Sequence, residues 1–391
     1  MSAEALAKGK HLASEANVRG TILDLPTPAL LLDRTRLERN AARMRDKARS
    51  LGVTLRPHVK TSKSIEVLRV LSGGEDWPIT VSTLAEARYF FERGVTEILY
   101  AVGIAPVKLP DIADLIRAGC NLRIILDTPD AADAVRSFSD AEGLPIETLI
   151  EIDSDGHRAG VSPGDPLLLE IGRKLGSNLA GVMTHAGASY DCRTTAQFEA
   201  MAEQERRLTV EAAERLRSAG LNCKIVSVGS TPTLYYARNL DGVTEVRAGV
   251  YAFGDLVQVE LGTCAIHDIA ISVIASVIGH NRQHGRVLID AGFLALSRDR
   301  GTADLPVDWG YGAVCDASGD VIEEVTVSST NQEHGIITAR SREIDFDRFP
   351  VGSRVKVLPN HACATAAAYD RYFVTDGSEQ IVDVWERVNG W

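Results

Sequence analysis

The sequence predicts an α/β protein: an eight-stranded parallel β/α barrel followed by a smaller β-rich domain. Three observations carry that prediction. Eight short apolar runs alternate with amphipathic segments over the larger part of the chain, as stacked βαβ units require. Past Gly254 the alternation stops, and strand-like runs separated by turn residues take over. The length, 391 residues, is long for one domain and about right for two. A doubly wound open sheet is permitted by the same alternation; the count of eight favours the barrel.

The elements follow in order. Residues 1–34 read as a leader and a strand. The leader alternates charge with small residues and lacks the apolar core of a signal peptide. Pro26 and Pro28 break the chain before an apolar run at 29–32. Asp33 can then cap a helix to about Ser50, with Leu37, Ala41, Met44 and Ala48 at helical spacing. The eight barrel runs are 53–56, 79–83, 97–101, 122–126, 147–152, 179–184, 224–228 and 244–248. Helices are expected at 63–72, 84–94, 107–119, 129–141, 166–175 and 193–219, with a shorter piece at 234–239. This places the barrel at 35–255. The β domain, 256–391, has strand-like runs at 269–278, 286–290, 323–327, 336–339, 354–358, 372–374 and 381–385, and no long helical pattern.

Composition narrows the partners. A formal net charge of −11 argues against nucleic acid or an anionic membrane. No apolar run reaches the ~18–20 residues needed to span a bilayer. Six cysteines lie scattered without a C-x-x-C pair, which suggests reduced thiols and a cytoplasmic setting.

In such a barrel, functional groups gather past the carboxyl ends of the strands. The first run ends at Pro57, which cannot donate to a ladder, and His58 and Lys60 follow. Desolvation at that place favours the neutral amine, the form that acts as nucleophile or base. A solvated loop lysine is the plainer reading of spacing alone. Later strand ends contribute His157 and Arg158, His185 and Tyr190, then Gly229, Ser230 and Thr231, then Gly249 and Tyr251. The Gly-Ser-Thr turn reads either as a helix cap or as an anion cradle. His361 and Cys363 stand two apart after a strand. Strand alternation would put both side chains on one face, and imidazole with thiolate suits Zn²⁺. His334 contributes from the β domain as a substrate contact or as a structural residue.

Eight motifs carry a resemblance: R-P-H-V-K-T-S-K, I-T-V-S-T, E-I-D-S-D-G-H-R-A-G-V, T-H-A-G-A-S-Y, V-G-S-T-P-T, V-R-A-G-V-Y, Q-E-H-G and L-P-N-H-A-C-A-T. With them, residues from about 25 to 391 resemble the fold-type III pyridoxal-phosphate enzymes, in the metal-dependent D-serine dehydratase and D-threonine aldolase branch. The resemblance implies an alanine-racemase-like barrel, with the strand near 29–32 joining the β domain. It implies a homodimer with each barrel mouth against the partner's β domain. It makes Lys60 the Schiff-base residue and the base at Cα. It sets Arg158 by the pyridine ring or its O3′, Tyr190 against cofactor or substrate, and His58 near the cofactor. It gives the phosphate to Gly229, Ser230, Thr231, Gly249 and Tyr251, and a divalent metal, Zn²⁺ before Mn²⁺, to His361 and Cys363. The implied reaction is dehydration of a D-3-hydroxy amino acid to a 2-keto acid and ammonia. Retro-aldol cleavage, with His185 or His334 as base, is the alternative. A non-catalytic pyridoxal-phosphate binding protein is the third reading, although such proteins lack the second domain.

Overall fold

The computed structural model describes residues 20–75 and 77–391. The leader expectation for residues 1–19 lies outside them. Eight parallel strands form one sheet: β2 (Thr54–Pro57), β3 (Ile79–Val81), β4 (Glu97–Gly103), β5 (Asn121–Leu126), β6 (Thr148–Ile152), β7 (Leu179–Thr184), β8 (Ile225–Val228) and β9 (Glu245–Ala248). Their order, β2-β9-β8-β7-β6-β5-β4-β3, leaves β2 and β3 at the two ends. A parallel bridge between His58 and Thr80 meets across that seam. Main-chain N of Val59 donates to Thr80 O at 2.9 Å there. The sheet is therefore a barrel closed at the residue that follows β2.

The helices outside it are α1 (Arg34–Ser50), α2 (Ile65–Ser72), α3 (Leu84–Phe91), α4 (Leu109–Arg117), α5 (Pro129–Glu142), α6 (Pro166–Leu175), α7 (Thr195–Ser218) and α8 (Thr231–Tyr236). Asp33 caps α1, accepting from Arg36 N at 3.0 Å, and Leu37, Ala41, Met44 and Ala48 form its buried stripe. The expected helix at 234–239 starts earlier, because Ser230 and Thr233 build a capping box and Pro232 sits inside the first turn.

A second sheet has nine strands: β1 (Ala29–Asp33), β10 (Ile271–Asn281), β11 (Arg286–Ile289), β12 (Ala313–Cys315), β13 (Val321–Thr330), β14 (Gly335–Ala339), β15 (Arg354–Leu358), β16 (Arg371–Thr375) and β17 (Asp383–Glu386). β1, first in the chain, lies between β10 and β16, antiparallel to one and parallel to the other. β12 had no counterpart in the sequence reading; three residues are too few to show a period. Short helices α9 (Leu256–Glu260), α10 (Phe293–Leu296) and α11 (Ala362–Ala366) connect this sheet to the barrel mouth. One apolar core runs through both parts. At their junction the rings of Phe253 and Tyr372 meet edge to face at 5.6 Å.

Candidate active site

Pro57 ends β2 and the chain turns at once into the barrel mouth. Amides of Ser62 and Lys63 both donate to Val59 O, at 3.1 and 2.7 Å. The tight turn presents Lys60 to a cavity of about 650 Å³. The lysine is exposed to that cavity, not buried as the strand-end argument expected. Its neighbour Lys63 is committed elsewhere: Nζ lies 2.9 Å from Oε1 of buried Glu86.

His58 and His185 flank the lysine. Burial first, then Lys60 and Arg247 close by, holds the His58 ring far below the ordinary imidazole range. Its buried Nδ1 has no partner among the described residues. His185 is pushed down to about 4 by burial, assisted by Lys60, Arg247 and Arg158. Its Nδ1 donates to Gly229 O at 3.2 Å. The imidazole is thus neutral, with Nε2 left as acceptor.

Arg158 stands at the cavity edge, with 59% of its side chain exposed, and pairs with Glu151 at 3.1 Å. Tyr190 comes from the turn Gly187–Asp191. Burial raises its phenol, Asp255 and Cys363 add to that, and the Gln258 side chain bonds its hydroxyl. Gly229, Ser230, Thr231 and Gly249 all line the cavity. A Cβ on Gly229 (φ +122°) would meet Arg247 O at 2.6 Å, and one on Gly249 would meet His58 O at 2.7 Å. Both positions bring backbone close to backbone, as only glycine allows. The Ser230 hydroxyl serves as a cap, accepting from Thr233 N at 3.2 Å. Thr231 Oγ1 accepts from Tyr251 N at 3.2 Å.

Two expected residues are not in the cavity. Tyr251 packs into the main core, and its buried hydroxyl has no partner among the described residues. The chain enters a 3-10 turn directly after Gly249, which rotates that side chain toward α1. His334 is exposed on the turn between β13 and β14, where its carbonyl accepts from Asn331 N at 2.8 Å.

His361 and Cys363 do meet, by a route other than the expected one. They are not on a strand: β15 has ended, His361 is the N-cap of α11 and Cys363 lies in its first turn. The Nδ1 of His361 donates to Asp299 Oδ2 at 2.7 Å. Burial alone would lower this imidazole, but Asp299 and Cys363 outweigh it and raise its pKa to about 11. Burial would likewise raise the Cys363 thiol. His361, the Thr61 hydroxyl at 3.2 Å and Lys60 outweigh that and lower it.

Sequence reasoning missed Thr61, Arg247, Asp255, Gln258 and Asp299, all of which line the cavity. Asp255 is 1% exposed; its carboxylate accepts from Gln258 N and Ala362 N at 2.9 and 3.0 Å, fixing the start of both α9 and α11. The local signal that could have shown it is the spacing of Asp255 and Gln258, a helix-capping pattern.

Residues 32–257 match the family model for the alanine racemase N-terminal domain, and 270–375 match a serine dehydratase domain. The chain is 51% identical to D-threo-3-hydroxyaspartate dehydratase of Delftia sp. (strain HT23), over 96% of this chain and all of that one. The solved structure of that enzyme superposes with a TM-score of 0.92 at 51% identity, covering 95% and 100% of the two chains. It has also been solved as a cysteine-to-alanine variant in a metal-free form. D-serine dehydratase of Dictyostelium discoideum is 32% identical, covering 95% of this chain and 98% of its own. D-threonine aldolase from Filomicrobium marinum is 26% identical with a TM-score of 0.79, over 94% and 97%. The protein therefore belongs to the alanine racemase N-terminal domain family, in the group where that barrel is joined to a serine dehydratase domain and whose members include D-threo-3-hydroxyaspartate and D-serine dehydratases.

Proposed function

We propose that the protein is a pyridoxal 5′-phosphate- and divalent-metal-dependent lyase. It would convert a D-3-hydroxy amino acid, first among them D-threo-3-hydroxyaspartate, to a 2-keto acid and ammonia. One observation carries the reading: a histidine–cysteine pair, oriented by Asp299, faces the same cavity as Lys60, which among the described residues pairs with no carboxylate.

Both groups fit the residues. The cofactor's support is the unpartnered Nδ1 of His58, the positive charges of Lys60, Arg158 and Arg247, and the close backbone at Gly229 and Gly249. Main-chain N–H groups of Thr231, Gly249 and Val250 would hold its phosphate, since those of Gly229 and Ser230 donate to Glu205 and Thr233 and the Ser230 and Thr231 hydroxyls already serve the loop. For the metal, His361 Nδ1 is tied to Asp299, the ordinary outer-shell arrangement of a ligating histidine, and the ring's other side meets the Cys363 thiol, where an ion would take the place of the proton between them. Two protein ligands leave positions for water or substrate, and thiolate with imidazole favours Zn²⁺ over Mn²⁺.

When bound, pyridoxal phosphate supplies an electron sink at Cα and the metal a Lewis acid at the β-hydroxyl. The chain's own residues do the rest. Lys60 would carry the cofactor and take the Cα proton, and the family resemblance implies the D-enantiomer as the substrate. Arg158 cannot release its proton, so it offers charge and hydrogen bonds without competing as a base. Thr61 and His361 shift Cys363 toward its thiolate form. Water leaves in the first stage and returns in the hydrolysis that frees ammonia.

Retro-aldol cleavage stays as a second reading because neutral His185, with Nε2 unused, is a competent base for a β-hydroxyl. Six free thiols support a cytoplasmic setting, and the family pattern a homodimer. The deciding experiment assays ammonia, 2-keto acid and glycine from D-threo-3-hydroxyaspartate and D-threonine, with and without chelator, for the native protein and Lys60→Ala. Ammonia with oxaloacetate, lost on chelation and in Lys60→Ala, is the expected result. Glycine with little ammonia would overturn it in favour of the aldolase.

A further inference from the structure

Behind the Lys60 turn, the C-terminal segment makes contacts that this chemistry has not used. Arg387, just past β17, is 7% exposed, and its hydrogen bonds all go to uncharged oxygens. Nε donates to Ser62 O at 3.1 Å and to the Tyr372 hydroxyl at 2.7 Å. Nη1 donates to Ala366 O and, at 2.7 Å, to Tyr369 O. Tyr372 is fully buried and passes its own proton on to Ser62 O at 2.7 Å. Ser62 belongs to the Lys60 turn, and Ala366 is the last residue of α11, which carries Cys363. Main-chain N of Val388 also donates to Lys63 O at 2.8 Å.

A guanidinium cannot shed its charge, and burying one is costly when no carboxylate bonds it directly; among the described residues Asp370 feels the charge of Arg387 but makes no ion pair with it. A neutral donor would satisfy any one of these carbonyls. What a neutral side chain lacks is the rigid planar fork, which reaches two segments at once. We propose that Arg387, with Tyr372, is a positioning residue that holds the Lys60 turn and the His361–Cys363 helix at one fixed separation. It thereby couples occupancy of the metal pair to occupancy of the lysine. The proposal rests on the reading of those two sites given above. The front of the same joint is the Thr61–Cys363 contact at 3.2 Å; Arg387 secures the back. By linkage, metal and cofactor then tighten one another by the same factor.

The test titrates Co²⁺ into chelator-treated protein with and without pyridoxal phosphate, reading the thiolate-to-metal charge-transfer band. Native protein, Arg387→Lys and Tyr372→Phe are compared, with kcat and KM measured at saturating metal. Native protein is expected to bind Co²⁺ at least about 5-fold more tightly when the cofactor is present. That ratio should fall to near one in Arg387→Lys and partway in Tyr372→Phe, with kcat reduced more than KM is changed. Tyr372→Phe retains the ring against Phe253 and decides alone if the lysine variant does not fold. An equal ratio in native protein and variants overturns the proposal, as does a native ratio of one. A native protein without the band overturns the metal reading and this proposal with it.

Discussion

Lys60 shows how far one residue can be read. Its place after a proline-terminated strand was visible in R-P-H-V-K, because proline and the apolar run before it are local signals. Its exposure was not, since that depends on the cavity shaped by six other strand ends. Tyr251 fails for a related reason: strand alternation stops at Gly249, and the turn that follows sends the ring toward α1. The two histidines beside Lys60 make a pH-dependent claim. Burial keeps both neutral, with His185 lowered from 6.5 to about 4. In the unfolded chain they take up protons near 6.5, so below that pH the unfolded state binds more protons than the folded one. Stability of the cofactor-free protein is therefore complete above about 6.5 and lost progressively as pH falls toward 4. The slope is at most about 1.4 kcal/mol per pH unit for each ring. Calorimetric Tm at a series of pH values should show this, and His185→Gln should flatten it; an unchanged acid slope in that variant would remove His185 from the account.

Among elements, α11 is the instructive one. The sequence pairs His361 with Cys363 by strand alternation, yet they sit at the cap and first turn of a five-residue helix. The pairing survives because a cap and a nearby first-turn residue can also share a side, given a partner that turns the histidine inward. That partner, Asp299, is 62 residues upstream, beyond α10, and no local pattern connects the two. Asp255 reaches the same helix from the end of the barrel. Long strands and helices were legible because each repeats its own period; the supports of α11 were not, because each is a single side chain brought in by the fold. Asp299→Ala leaves both proposed ligands in place and removes only the orienting bond. It should weaken Co²⁺ binding about 10- to 100-fold, read from the same charge-transfer band, with cofactor uptake little changed at Co²⁺ concentrations that fill the site. Native affinity in that variant would mean that the carboxylate is dispensable.

At the scale of the molecule, β1 is what makes two folding units one. It precedes the barrel in sequence but lies inside the second sheet, with Leu30 and Leu32 fully buried. Removing it would leave β10 and β16 as two facing unpaired edges, a known route to aggregation. A chain begun at Arg34 keeps every barrel strand and every site residue. It is nonetheless expected to aggregate or to lose its single unfolding transition, judged by size-exclusion chromatography and calorimetry. A monodisperse product with native Tm would show that the strand is an ornament to the sheet.

The position of β1 also sets an order of events during translation. The strand leaves the ribosome before any of the barrel, and neither of its partners follows until the whole barrel has been made. At ordinary synthesis rates the A-L-L-L stretch then waits for roughly 10 to 50 s without a neighbour. Over that interval it is an apolar strand free to bind a chaperone or to complete the sheet of another nascent chain. Crowded polysomes should therefore yield swapped pairs in which β1 is exchanged between chains, each copy carrying a correctly built barrel.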